Sequence, residues 1–335
     1  MKNILLLAGL LLLGWPARAC DICGCFMGIT PYDNQSGFTL MHRYRVFNGY
    51  QAAGQSPQFF PSGARVFAPS SLNSDEGYAH RHQGDATDFE AFRVAELRGK
   101  YFLARRLELN AFVPYVMNTS QINGHQLNVS GLGDITVFAG YHLIRNIETA
   151  GLQSRLIVGG GVKLPTGDFR RQNAQGLRYA LLNQPGTGTT DGFVYANYIA
   201  SYRSLGLSVN ASYRRSSENT YRNSIAPGTA AFANLFYRLP LGDSWQIYPS
   251  AQFFWEKTDG EMLEGQLTGA HAMNNALLGP GLDFYYKNVS LNTSMQFPIY
   301  NAATDHPLSA GRLVVALGFS FNQMKYLIGK KTDTM

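Results

Sequence analysis

Hydrophobic and polar residues alternate with a period of two along most of the chain beyond residue 35. The pattern is clearest between Gly131 and Phe169. Ile135, Val137, Ala139, Tyr141 and Leu143 fall on one face of a strand, with Thr136, Phe138, Gly140 and His142 on the other. After a short turn, Leu156, Val158, Gly160, Val162 and Leu164 share one face, while Arg155, Ile157, Gly159, Gly161 and Lys163 share the opposite one. A period of two is the signature of pleated strands with two different environments. The connection that follows, Pro165 to Asp191, is rich in Gly, Gln, Asn and Thr and shows no period. A short connection followed by a long polar one is the repeating unit of the chain.

Twelve such strands can be read from Ser36 to Phe321. The first sets Phe38, Leu40, Tyr44 and Val46 against Thr39, Met41, Arg43 and Arg45. In the second, Phe89 to Leu103, Arg93 interrupts the alternation and predicts a β-bulge. Long polar connections alternate with short ones through all eleven links. A soluble sandwich has no reason for that regularity, whereas an outer-membrane barrel has long loops outside and short turns in the periplasm. The even strand count and a strand length of about eleven to fifteen residues agree with a tilted barrel. Closure removes the sheet edges that lipid would not tolerate. The predicted fold is therefore all-β: a transmembrane, antiparallel, up-and-down barrel over residues 36–322. Its apolar face points outward and its polar face inward. Tyr44, Tyr101, Tyr115, Tyr141, Tyr213, Tyr237, Trp245, Trp255 and Tyr286, near strand ends, fit aromatic girdles.

Composition supports this picture. Of 335 residues, 45% are hydrophobic and 13% aromatic, and only 15% are charged, against roughly 25% charged in soluble domains. Mean hydropathy is nevertheless slightly negative, at −0.15. The one apolar run is at the N-terminus and is shorter than the about 20 residues of a membrane helix. Met1 to Ala19 reads as a secretory signal, with Lys2 as its charged start, Ile4 to Leu13 as its apolar core and Ala17-Arg18-Ala19 as a small-x-small cleavage site. Its removal leaves 26 basic against 22 acidic residues, a mature charge of +4. Neither that charge nor any basic run points to nucleic acid.

Residues 20–35 then form a periplasmic cysteine-rich segment opening CDICGC, and residues 323–335 a periplasmic tail. Cys20, Cys23 and Cys25 lie within six residues. Three readings stand open: one disulfide with a thiol left over, acylation of Cys20, or a thiolate site for Cu(I) or Zn(II) with the α-amine as fourth donor. His80 and His82 form a second candidate metal pair in the first long loop.

GLGDITVFAGYHL (Gly131 to Leu143) followed by GVKLPTGDF (Gly161 to Phe169) resembles the bacterial outer-membrane family labelled as transporters of the phenol-degradation meta-pathway type, loosely akin to hydrophobic-solute channels. The strands Gly192 to Arg214 fit the same pattern more loosely. The resemblance implies an outer-membrane barrel with a transport role and supplies no substrate. CDICGC departs from that family and looks like a Bacteroidota-type group of exported barrels. The strand ending at Phe321 resembles the C-terminal aromatic signal read by barrel-assembly machinery.

Candidate lumen and solute-binding residues are Arg43, Arg45, Glu96, Arg98, Lys100, Arg155, Lys163, Arg203, Arg214, Arg238 and Glu256, with Glu108 beside them. They either steer polar or anionic solutes or form a salt-bridged network that plugs a barrel of intermediate width. The expected function is an outer-membrane channel or transporter for small solutes, with outer-membrane lipid as its surroundings. The alternative is a non-conducting barrel whose cysteine segment is the metal- or redox-binding end. An outer-membrane hydrolase is a remote third reading, since no Ser/His pair with an orienting group appears as nucleophilic catalysis requires.

Overall fold

Twelve long strands form where the alternation runs. The computed structural model describes residues 35–48, 58–59, 88–122, 125–146, 151–173, 176, 178–242, 244–268, 271–304 and 308–322. The signal sequence, Cys20, Cys23, Cys25, His80, His82 and the C-terminal tail lie outside the described residues. The strands are β1 (Gln35–Asn48), β2 (Phe89–Ala104), β3 (Leu107–Ile122), β4 (Thr136–Asn146), β5 (Leu152–Lys163), β6 (Asp191–Tyr202), β7 (Leu205–Ser216), β8 (Gly228–Tyr237), β9 (Trp245–Thr258), β10 (Ala272–Tyr286), β11 (Val289–Thr304) and β12 (Ser309–Asn322). Each pairs antiparallel with its neighbour in sequence, and β12 returns to β1 from Gln35↔Asn322 to Phe47↔Ser309. The sheet is a closed barrel. The short turns mark its periplasmic end and the long loops its outer end.

The exterior is apolar. Phe38, Leu40, Leu97, Val194, Leu235, Leu317 and Phe319 are each about half exposed or more, an arrangement suited to lipid and costly in water. Tyr101, Tyr141, Tyr237, Trp245 and Tyr286 ring the periplasmic end, where Trp245 and Tyr286 stack at 4.4 Å between centroids. This is an outer-membrane β-barrel.

The bulge expected at Arg93 is absent. Register runs unbroken through Tyr44↔Arg93 and Arg93↔Met117. Arg93 instead points outward near the outer rim, its guanidinium 5.3 Å from the centre of the Tyr44 ring. A long basic side chain can lie along an apolar surface with its charge at the water boundary. The irregularities fall elsewhere, between Val46 and Phe47, Phe102 and Ala104, His142 and Ile144, and Ala276 and Leu277.

The interior is not purely polar. Met41, Ala230, Phe232, Phe254, Leu277, Val314 and Ala316 form one apolar cluster on the β8–β1 side of the lumen. Phe112, Phe138, Ile157 and Tyr195 form another on the β3–β6 side. Inward glycines make room for the second cluster. A side chain at Gly140 would meet the Tyr195 hydroxyl, and one at Gly161 would run into Phe138 and the Val137 carbonyl. The inner face is thus polar with apolar patches, as the inward positions of Met41, Phe138 and Ile157 in the alternation implied. Twelve strands leave a lumen narrow enough for opposing side chains to touch, so some inner positions pack as a core.

Candidate functional site

The long connection between β5 and β6, residues 164–190, folds back into the barrel mouth. Its short 3-10 turn, Leu181–Asn183, and the residues after it are largely buried: Leu181, Gln184, Thr187 and Thr189 are all under 7% exposed. A sequence without periodicity gives no sign of this. The segment is held by side chains on the wall and on other loops.

The first anchor is Asp134, in the GLGD stretch before β4. Its Oδ2 accepts hydrogen bonds from Lys163 Nζ (2.7 Å), the Thr187 backbone N–H (2.8 Å) and Thr187 Oγ1 (2.7 Å). Its Oδ1 accepts from the Gly167 N–H at 2.9 Å. Lys163 lies 3.2 Å from Asp191 Oδ2, which is also met by Arg214 Nη1 at 2.7 Å. Thr189 Oγ1 donates to Asp191 Oδ1 at 2.6 Å. Charge-assisted bonds of this kind are the stronger class, and every member is nearly buried. Gly167 and Gly186 pass so close that a Cβ on Gly186 would sit 2.6 Å from Gly167 Cα. Both halves of the quoted motif therefore have a structural role, because they meet at this junction.

The second anchor crosses the mouth. Asn118 of β3 donates through Nδ2 to the carbonyls of Leu182 (3.4 Å) and Asn183 (3.2 Å). The Leu182 N–H donates to Glu261 Oε1 at 3.1 Å. Glu261, in the β9–β10 loop, is 3.2 Å from His271 Nδ1, and Glu90 of β2 is 3.8 Å from His271 Nε2. Burial by itself would lower the His271 pKa, but the two flanking carboxylates outweigh it and raise it to about 10. Burial likewise pushes Glu261 upward. The proton on His271 and the Leu181 and Leu182 amides prevail and hold its pKa below the usual carboxylate value. His271 is therefore a cation at neutral pH.

Between these anchors lies a cavity holding ≈ 1060 Å³ of empty space, solvent at its mouth included. Its apolar lining comes from Phe47, Phe92, Val94, Pro114, Val116, Leu181, Leu182, Pro185 and Met273. Its charged lining comes from Arg43, Arg45, Glu90, Glu96, Asp134, Lys163 and His271.

The candidate residues divide into three groups. Arg43, Arg45, Glu96 and Lys163 line the cavity itself. Arg45 pairs with Glu256 of β9 across the lumen, and Arg98 pairs with Glu96 along β2. Arg98, Lys100, Glu108, Arg155 and Arg214 are inside the barrel, with Lys100 and His142 both on Glu108 at 3.1 and 3.2 Å near the periplasmic end. Arg203 and Arg238 are corrections: both are exposed and neither enters the lumen. Arg203 occupies the β6–β7 turn with a φ of 55°, and Arg238 lies just past the end of β8, where its amide bonds to the Ser204 carbonyl. The strands end one or two residues earlier than the alternation implied. Sequence reasoning missed Glu90, Asp134, Asp191, Glu261 and His271. Only Asp134 carried a signal, as the polar end of the glycine turn in GLGD.

Among the described residues, no group of three or more His, Cys, Asp and Glu side chains is arranged to hold a metal.

Residues 77–315 match the model of the family described as "Putative MetA-pathway of phenol degradation". The chain belongs to that family. Among solved structures, it is similar to the COG4313 outer membrane channel from Pseudomonas putida F1, at 15% identity and a TM-score of 0.59, covering 88% of this chain and 100% of that one. It is also similar to the β-domain of the Bordetella autotransporter Brka, at 13% identity and a TM-score of 0.47, covering 86% of this chain and 100% of that one. No curated protein matches it in sequence. For this family member, the similarity to the channel supports the barrel architecture over nearly its whole length.

Proposed function

We propose that this barrel passes small solutes with apolar bodies across the outer membrane, with the in-folded β5–β6 loop as its constriction. The carrying observation is the mouth cavity, where nine apolar side chains, Leu181, Leu182 and Pro185 of the loop among them, share the lining with charged and polar ones. Ligand sites of this type are concave and mostly apolar, with a few placed polar groups. A similar solved structure is that of an outer membrane channel, and both it and the family's description agree with that reading. The test is solute flux into liposomes carrying the purified protein. Faster entry of small aromatic or aliphatic solutes than of sugars of equal mass supports the reading, and no flux of either rejects it.

A second reading has one observation in its favour. The apolar cluster around Phe232 and Phe254 and the Arg45–Glu256 pair lie inside the barrel and narrow its lumen, which favours a non-conducting barrel. In that case Cys20, Cys23 and Cys25 carry the function, by binding Cu or Zn or by redox exchange. Metal binding lost on changing Cys23 and Cys25 to Ser, in a protein without conductance, would establish it. Outer-membrane lipid is the partner of the apolar exterior, and the barrel-assembly machinery is the proposed partner of the last strand.

A further inference from the structure

The cavity's charged residues are not equivalent. Glu96 is engaged by Arg98, Glu90 by His271, Asp134 by Lys163, and Arg45 by Glu256. Arg43 differs. It is 91% buried, it lines the cavity, and among the described residues its Nη1 meets no hydrogen-bond partner. Its place in the sheet explains why. Arg43 is opposite Val94 on β2 and Val314 on β12, both apolar. Glu96 is the nearest carboxylate by register, opposite Met41, and it is already bonded to Arg98.

A guanidinium cannot shed its proton at any ordinary pH. Leaving one buried without a partner is costly, and its planar fork is suited to two-point binding of a carboxylate. Around it the walls are apolar: Phe47, Phe92, Val94, Pro114 and Val116. The Phe47 and Phe92 rings meet edge to face at 5.6 Å. Arg45, Lys163 and His271 each face a carboxylate, so Arg43 is the cavity cation that pairs with none among the described residues, and with its apolar neighbours it matches one anionic group on an otherwise apolar molecule. We propose that Arg43 is the specificity-determining residue of the mouth and that the solute is a small monocarboxylate with an apolar body. The inference rests on the channel reading above and adds the substrate's charge.

The balance of nearby charge limits what fits. The Glu90–His271–Glu261 group holds two carboxylates on one imidazolium. A dicarboxylate would bring its second charge towards that negative excess, and a cationic solute would meet Arg43 itself. One carboxylate is therefore favoured over two or none.

The test compares benzoate with benzyl alcohol, and hexanoate with hexanol, on the full-length mature protein. Binding is read by calorimetry in detergent, and flux by liposome assay. The proposal expects each carboxylate to bind at least about tenfold more tightly than its alcohol. Arg43→Gln should abolish that preference, and Arg43→Lys should restore part of it. Heat-modifiable migration of each variant reports that the barrel is folded. Equal binding of acid and alcohol, or a preference unchanged by Arg43→Gln, overturns the role of Arg43 and leaves the channel reading intact. Carboxylate binding without flux of any solute rejects the channel while retaining the Arg43 site. Neither binding nor flux overturns both.

Discussion

At the outer mouth, Asp134 accepts four hydrogen bonds, and three of them come from the β5–β6 loop: the Gly167 and Thr187 amides and the Thr187 hydroxyl. At the periplasmic end, Glu108 is met by Lys100, Asn110 and His142, all carried by barrel strands. Both are buried carboxylates beside a lysine. The first fastens a loop across an opening, whereas the second only ties neighbouring strands together. Buried charge inside a barrel thus says little about function until the element that supplies its partners is known. The mouth network holds a part whose release would open a path. The inner network would release only the wall.

The largest expected effect is from Asp134→Ala. Removing one partner of a buried pair costs about 3–5 kcal/mol. The low end applies here because Asp191 remains within 3.2 Å of Lys163. Residues 165–187 should become sensitive to protease and conductance should rise, with the barrel still folded by heat-modifiable migration. If the loop stays protected, Asp134 is not its fastening point.

Gly140→Val acts at the other end. The added side chain meets the Tyr195 hydroxyl, Ile157 and Glu108, and overpacking of this kind costs about 1–3 kcal/mol. The urea midpoint of the whole barrel should fall while loop protection at the mouth is unchanged. Loss of loop protection in this variant would mean that the two networks are coupled.

Smaller in size is a pH effect. The His271 pKa is raised from 6.5 to about 10. Its contribution is therefore complete below the unfolded value and is lost as pH rises through about 10. Glu261 is shifted the other way, so its contribution is present above its ordinary value of 4.5 and is lost as pH falls below it. Proteolysis of the loop should accelerate at both extremes, and His271→Gln should remove the alkaline change. The smallest effect belongs to Glu264→Gln. Its pair with Arg222 is well over half exposed on both sides, and such pairs contribute about 0.5 kcal/mol or less. A larger change in the urea midpoint would show that rim charges also hold the loops.

The barrel itself was legible because lipid outside and a crowded lumen inside impose a period of two on every strand. Arg93 shows the limit of that rule, since a basic residue at the rim is tolerated on the outward face without any bulge. Arg203 and Arg238 show another, because alternation continues by chance past the residue where pairing stops. Phe112, Phe232 and Phe254 were open to misreading for a different reason. An apolar residue facing inward keeps the same spacing as a polar one, and only the barrel's width decides that it packs. The mouth was least legible. Glu90, Glu261 and His271 come from separate stretches, and nothing local in any of them marks the other two.

The seam between β1 and β12 joins the two ends of the described chain along thirteen residue pairs. No segment short of the last strand can complete the cylinder. Until β12 arrives, both margins of the sheet remain unsatisfied in a solvent that offers no hydrogen bonds, and such distant pairing is slow to form. The protein therefore depends on something to shield that gap while the rest of the chain is laid down, and a truncation of the final strand should yield a species that is lost before it reaches the membrane rather than a leaky pore.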